Sequence, residues 1–273
     1  MSDWHHPEIV DAVRRALAED IGTGDITSEA TIDSDRRAFG RFYARQDIVL
    51  AGIELLPLIY GEPPKLLRKS GDRCQDGECI AEVEGLARVL LRNERTALNF
   101  MQRLSGVATL AARYAAETRG TNCKVLDTRK TTPGLRRLEK LAAAAGGVVN
   151  HRMGLYDAIL IKNNHITACG SVTEAIRRAL ATGKPVECEV RTREELDEAL
   201  AAGATHLLLD NLTPAEARAW IAHIAGRATV ELSGNITLST IRAYAEAGAD
   251  YISSGAITHS ATAVDLNFRI EFQ

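Results

Sequence analysis

The sequence predicts an α/β protein, a small α+β domain followed by a β/α barrel of about seven parallel strands. Three observations carry that expectation. From residue 123 on, short β-prone runs (CKVLD, GVVN, DAILIK, PVECEV, HLLLD, ATVELS, DYISS) are separated mostly by helix-like segments at 134–145, 171–182, 193–202, 213–225 and 238–247. That alternation is the grammar of parallel βαβ units. AAGATHLLLD (201–210) and AEAGADYISS (245–254) are near copies, each a helix end, a glycine and a buried-looking strand. The runs also end on polar groups: Arg129 and Lys130, His151 and Arg152, Lys162, Glu189, Asp210, Ser233 and Ser254. A parallel barrel sends all of these to one rim, whereas an open doubly wound sheet spreads them along a crevice.

The earlier elements follow in order. Residues 7–19 carry Ile9, Val10, Val13 and Leu17 at helical spacing, with Gly22 as a stop beyond the end. GTGD (Gly22 to Asp25) has the composition of a phosphate loop, but it follows a helix instead of joining strand to helix. Between 36 and 91 the runs shorten to AFGRFYAR, IVLAG, CIAEVEG and LARVLL, with Asp76–Gly77 reading as a hairpin turn. Arg41, Arg45, Glu82 and Glu84 alternate there and are expected on a solvated face. Residues 93–119 form a long helix, with apolar residues at 97, 98, 101, 104, 108 and 111. Asn93 is its expected N-cap, which puts Arg95 in a first turn where the helix dipole disfavours a cation. We place the domains at 1–115 and 116–260, with residues from about 260 to 273 either finishing the barrel or returning to the first domain.

Composition excludes several classes. A formal net charge of −3 argues against a nucleic-acid binder. No apolar run approaches the roughly 20 residues that cross a bilayer. The N-terminus lacks the basic-then-apolar pattern of a secretory signal. Five cysteines at irregular spacing, with no CxxC pair, point to reduced thiols in the cytoplasm.

The rim sorts by charge. Arg129, Lys130, His151, Arg152 and Lys162 make a positive side. Glu189 and Asp210 make a negative one, with Glu231 a further candidate. SGN (233–235) and SGA (254–256) are small-residue turns that let backbone amides approach a phosphate. Arginine suits carboxylates bidentately and lysine suits phosphate, while two separated carboxylates beside phosphates suit Mg²⁺. The expected ligands are a carboxylated molecule and a magnesium-bound polyphosphate. Plainer roles stand beside these. Glu187 and Glu189 share a strand face, and one could simply pair with a core lysine. Asp210 could cap the helix at 213, His165 and His259 could be structural, and Lys162 could be a Schiff-base lysine in a desolvated site.

ERTALNFMQRLSGVAT, DTRKTTPGLRRLEK, GGVVNHRMGLYDAILIKNNHI, VECEV, LLLDN, ELSGNIT and GADYISSGAITHS, in this order, closely resemble the quinolinate phosphoribosyltransferase family, from EDIGTGDITS to DLNFRI. The resemblance implies an N-terminal α/β sandwich, an incomplete barrel and a homodimer in which each N-terminal domain covers the partner's barrel mouth. Higher association stays open. Arg95 would enter the partner's site. Thr128, Arg129, His151, Arg152 and Lys162 would hold quinolinate. Lys130, Glu189, Asp210, Asn211, Ser233, Gly234, Asn235, Ser254, Gly255, Ala256 and His259 would hold phosphoribosyl pyrophosphate, with Glu189 and Asp210 on its Mg²⁺. Lys130, Lys162, Glu189 and Asp210 would be catalytic, with no organic cofactor. The implied reaction yields nicotinate mononucleotide, pyrophosphate and CO₂. A paralogous phosphoribosyltransferase of molybdenum loci and a non-catalytic phosphate-binding barrel are the alternatives.

Overall fold

The structure, a computed structural model, describes residues 3–61 and 63–272. In chain order these form α1 (Pro7–Ile21), α2 (Ile26–Thr31), β1 (Arg37–Ala44), β2 (Ile48–Val49), α3 (Leu56–Tyr60), β3 (Lys65–Leu66), β4 (Arg73–Cys74) and β5 (Cys79–Leu86). The long α4 (Ala87–Glu117) follows. Strand and helix then alternate: β6 (Lys124–Leu126), α5 (Arg136–Ala145), β7 (Ile159–Ile161), α6 (Asn163–Cys169), α7 (Val172–Leu180), β8 (Val186–Val190) and α8 (Arg193–Ala201). The chain ends with β9 (His206–Asp210), α9 (Pro214–Ile224), β10 (Thr229–Ser233), α10 (Ile241–Ala245), β11 (Tyr251–Ser253), α11 (Ala256–His259) and β12 (Leu266–Phe272). Two compact units result, one of residues up to 112, 131–147 and from 257 on, the other of 113–130 and 148–256.

The first unit holds an antiparallel sheet of order β12-β1-β5-β3 and a separate β2-β4 pair. Alternation in β1 puts Ala38, Phe42 and Ala44 in the core, where Phe42 meets Phe268 at 4.8 Å and Tyr60 at 6.2 Å between ring centroids. The outward charges pair across strands, Arg41 with Glu82 at 3.2 Å and Arg37 with Glu84 at 3.3 Å. Asp76–Gly77 does form a turn, but it joins two sheets: β4 pairs with β2, and β5 with β1. The GTGD segment is not a phosphate loop either, since Asp25 caps α2 through its carboxylate and the Ser28 N–H at 3.0 Å.

Helix α4 corrects a boundary. It begins at Ala87, six residues before the expected start, because Ala87, Leu90 and Asn93 continue the buried seam of Ala97, Met101, Leu104, Ala108 and Ala111. Of the run LARVLL, strand-like by composition, Leu86 ends β5 and the rest supplies the first turn of α4. Asn93 is therefore no cap. It is buried inside the helix and donates its side-chain N–H to the Ile59 carbonyl at 2.8 Å. Arg95 consequently lies beyond the first turn, and the dipole argument for its oddity falls away. It remains exposed.

In the second unit six strands form a parallel sheet of order β6-β11-β10-β9-β8-β7. The GVVN run contributes a single bridge, Val149 to Leu126, on the far side of β6. Seven strand segments thus follow one another around an incomplete ring, and among the described residues no ladder joins Val149 to β7. Register places Glu189, Leu208 and Glu231 at one level, and Asp210 opposite Ser233 one step nearer the C-terminal end. No described helix is long and apolar enough to cross a membrane.

Candidate active site

At the C-terminal ends of these strands lies a cavity of about 530 Å³. Of the rim residues named from sequence, Thr128, Arg129, Lys130, His151, Arg152, Lys162, Glu189, Asp210, Asn211, Ser233, Gly234 and Asn235 line it. Ser254, Gly255 and Ala256 belong to the same unit without lining the cavity. Arg95 and His259 fall in the other compact unit, where the His259 ring meets the Ser260 hydroxyl at 2.7 Å.

Asp127, not among the sequence candidates, anchors the cationic flank. Fully buried at the end of β6, it accepts the Asn150 amide N–H at 2.7 Å and the His151 backbone N–H at 2.8 Å. It therefore ties the DTRK segment to the NHR segment. The Thr128 hydroxyl accepts the Lys130 N–H at 3.0 Å, shaping the turn that carries Arg129. Arg152 starts a loop closed by Asp157, which accepts the Met153 and Gly154 N–H groups at 2.6 and 2.9 Å. Its guanidinium donates to the Ala158 carbonyl at 3.0 Å. Burial and the neighbouring Arg129 both pull the Arg152 pKa down, the signature of cations gathered for an anion.

Lys162 follows β7, with its ammonium 3.5 Å from Glu189 and its side chain 52% exposed. That is the opposite of the desolvated setting a Schiff-base lysine requires. His165 is structural, accepting the Lys162 N–H at 2.9 Å. Glu189, only 5% exposed, also receives Arg191 at 2.9 Å. Asp210 is not a helix cap, because α9 is capped by Thr213 and Glu216 in a reciprocal box. Its carboxylate instead accepts the Asn211 amide at 2.7 Å. Asn211 and Asn235 both have left-handed backbone, φ 59° and 51°, a conformation asparagine tolerates. Between them, Gly234 passes so close that a Cβ there would lie 2.3 Å from the Asn211 side-chain oxygen.

Sequence reasoning gave Glu187 only a pairing role and left Arg191, Asn163, Asn164 and Ser253 unnamed, although strand alternation through 187, 189 and 191 was available to find Arg191. Glu187 and Glu231 meet the His151 Nε2 at 3.1 and 3.4 Å. Burial opposes charge on that ring, but the two carboxylates outweigh it and lift it to about 9. Burial likewise pushes the Glu231 carboxyl up, with His151 opposing and Glu187 reinforcing. Nδ1 accepts the Arg152 N–H at 2.7 Å, so the ring proton sits on Nε2 facing the acids. A second ring proton would meet that N–H head-on and cost the Nδ1 hydrogen bond, and the Glu231 carboxyl, raised by burial, is the neighbouring group able to take the cluster's additional proton instead. Among the described residues, His151, Glu187 and Glu231 are the one group of three such ligands whose donor atoms lie within 4.8 Å of one another. Glu189 and Asp210 offer hard oxygens only.

Comparison with known proteins shows the family of the chain. Residues 25–105 match the family model of the quinolinate phosphoribosyl transferase N-terminal domain, and residues 107–269 that of its C-terminal domain. A probable nicotinate-nucleotide pyrophosphorylase (carboxylating) of Bacillus subtilis (strain 168) is 40% identical over 274 residues, 97% of this chain and 94% of the relative. The Mycobacterium leprae (strain TN) nicotinate-nucleotide pyrophosphorylase (carboxylating) is 40% identical over 279 residues, 97% of this chain and 98% of its own. The solved nicotinate-nucleotide pyrophosphorylase of Francisella tularensis superposes with a TM-score of 0.93 at 36% identity, covering 97% of each chain. That of Ehrlichia chaffeensis gives 0.91 at 33%, covering 96% of this chain and 98% of that one. With both units and the cavity-lining segments inside these matches, the chain belongs to the quinolinate phosphoribosyltransferase family.

Proposed function

We propose that the protein transfers the phosphoribosyl group of phosphoribosyl pyrophosphate to quinolinate with decarboxylation, giving nicotinate mononucleotide, pyrophosphate and CO₂, a step of de novo NAD biosynthesis. The observation that carries this is one cavity walled by Arg129, Lys130, Arg152 and Lys162 on one flank and by Glu189 and Asp210 on the other. The arginines and Lys162 suit the two carboxylates of quinolinate, and Lys130 with the Ser233–Asn235 turn suits the phosphates. The pyridine nitrogen then attacks the ribose C1 as pyrophosphate departs. Glu189 and Asp210, fixed on strands, stabilise the positive charge that develops at C1. The N-ribosylated ring is a pyridinium and takes up the electron pair when the 2-carboxylate leaves, after which C2 is protonated. Tight binding of that carboxylate alone would not raise the rate, so the cations must orient it without overstabilising it.

Glu189 and Asp210 are hard oxygen donors of the kind Mg²⁺ takes one or two of while keeping its waters. They are the residues that would hold it. When bound, the ion would neutralise charge on the departing pyrophosphate. We also propose a homodimer in which Arg95 reaches the partner's cavity. What supports it is the family likeness and the exposure of Arg95. A cytoplasmic location is consistent with five cysteines that are all free.

The test is direct: purified protein, quinolinate labelled in its 2-carboxylate, phosphoribosyl pyrophosphate and Mg²⁺. Label released as CO₂ in step with nicotinate mononucleotide, and abolished by chelation or by omitting phosphoribosyl pyrophosphate, is the expected result. Absence of release, or borohydride trapping of substrate on Lys162, would overturn it.

A further inference from the structure

Two acids in the barrel interior have no part in the reaction as set out above. Glu187 from β8 and Glu231 from β10 converge on one atom, the His151 Nε2, at 3.1 and 3.4 Å. Glu231 is 4% exposed, and its Oε1 has no hydrogen-bond partner among the described residues. Placing two acids beside a pocket for a dicarboxylate works against binding on electrostatic grounds alone. Their geometry indicates a different use. An imidazole whose Nε2 lies between two carboxylates is held in one orientation with its proton on that nitrogen. Its bare Nδ1 is then turned to the Arg152 backbone N–H, which it accepts at 2.7 Å. Asp127 holds the His151 backbone N–H at 2.8 Å, so the ring forms a strut between the barrel interior and the start of the 152–158 loop. The tip of that loop is open to solvent, with Leu155 and Tyr156 76% and 69% exposed. The strut fixes where Arg152 leaves the barrel, and a displacement of about 1 Å at such a group is enough to spoil substrate alignment.

We propose that Glu187 and Glu231 are positioning residues for the quinolinate subsite, clamping His151 so that Arg152 presents its guanidinium to the substrate's carboxylates. This rests on the reaction proposed above. It makes a prediction of opposite sign to simple charge repulsion. Removing a negative charge beside an anion site should tighten binding if repulsion dominates, and should weaken it if the clamp dominates.

The experiment is steady-state kinetics on Glu187→Ala, Glu187→Gln and Glu231→Gln, with folding checked by thermal denaturation. Glu187 is the primary position because its side chain is partly exposed, so its variants keep the test alive if Glu231→Gln does not fold. Glu187→Ala should raise the quinolinate KM about tenfold, with Glu187→Gln between it and the wild type because the amide oxygen still accepts. The phosphoribosyl pyrophosphate KM and kcat should stay within about threefold. A quinolinate KM that falls or stays within about twofold in the folded variants overturns the clamp, as does an equal rise in both KM values. If the wild type itself releases no CO₂ from quinolinate, the reaction fails and takes this role with it. That outcome is distinguishable because the clamp's own failure leaves the wild type active.

Discussion

Substituting Gly234 by alanine would report directly on the side of the site proposed to hold phosphate. Gly234 has φ +98°, and an added Cβ would meet the Asn211 side-chain oxygen at 2.3 Å and the Asn211 backbone nitrogen at 2.7 Å. The backbone contact cannot be relieved by a rotamer change, so Asn211 must move. Asn211 holds three things in place: its N–H donates to the Ser233 carbonyl at 2.9 Å, its amide donates to Asp210 at 2.7 Å, and its side-chain oxygen accepts from Asn235 at 3.3 Å. The unfavourable φ costs about 1–2 kcal/mol, and loosening two of those hydrogen bonds about 1 kcal/mol each. A total of about 3 kcal/mol, borne by the site, is a loss of about a hundredfold in kcat/KM for phosphoribosyl pyrophosphate. Gly226→Ala is the matched control, since its φ of +75° carries the same kind of strain with nothing within 4 Å of the new methyl. Kinetics in both substrates and a melting curve on each variant complete the assay. Were Gly234→Ala to keep its phosphoribosyl pyrophosphate KM within about twofold while melting like the control, the turn would have no role in holding that substrate.

Arg152→Ala should weaken quinolinate binding by about a hundredfold or more, the worth of a bidentate charged contact, as read by calorimetry. The His151 cluster binds its proton up to about 9, so its contribution is fully present below the ordinary histidine pKa of about 6.5 and is lost as pH rises through about 9. The quinolinate kcat/KM should decline across that window, and the melting temperature with it. The stability at stake is at most about 3 kcal/mol. A profile flat from pH 7 to 10 would contradict this. For the proposed dimer, mixing Arg95→Ala with Glu189→Gln chains should restore up to about a quarter of wild-type activity, since statistical hybrids carry one intact site. No recovery after confirmed subunit exchange would place Arg95 outside the partner's cavity.

The barrel was legible because parallel strands alternating with helices leave a strong mark, with short apolar runs, glycine punctuation and a polar group at each strand end. The same marks pointed to one rim, and Arg129, Lys130, Arg152, Lys162, Glu189 and Asp210 do line one cavity. Other features depend on information a single chain does not display. ARVLL looks like a strand by composition, and only the buried seam running from Ala87 through Ala111 makes it a helix start. Asp76–Gly77 has hairpin chemistry, yet which strands it joins is settled by pairing partners far along the chain. The meeting of Glu231 with His151 needs strand register and loop course together, and neither follows from local spacing.

The charges of the site divide by the kind of backbone that carries them. Glu187, Glu189, Asp210 and Glu231 all sit within β8, β9 and β10, three neighbouring strands of the parallel sheet. Arg129, Lys130, Arg152 and Lys162 lie beyond strand ends, on turns and loops held by side-chain contacts such as Asp127 to Asn150 and His151 and Asp157 to Met153 and Gly154. A group that stabilises a transient positive charge works best when it cannot relax, because reorganisation would spend the stabilisation before the transition state is reached. A group that must orient a carboxylate can be carried on a loop provided side-chain contacts fix where that loop leaves the barrel, as the His151 ring does for Arg152. The open side of the ring, between Val149 and β7, is where the chain carries Arg152. On the proposed reaction, the acids therefore sit on paired strands where the ribosyl charge would develop, and Arg152 sits on a braced loop where the leaving carboxylate would be held.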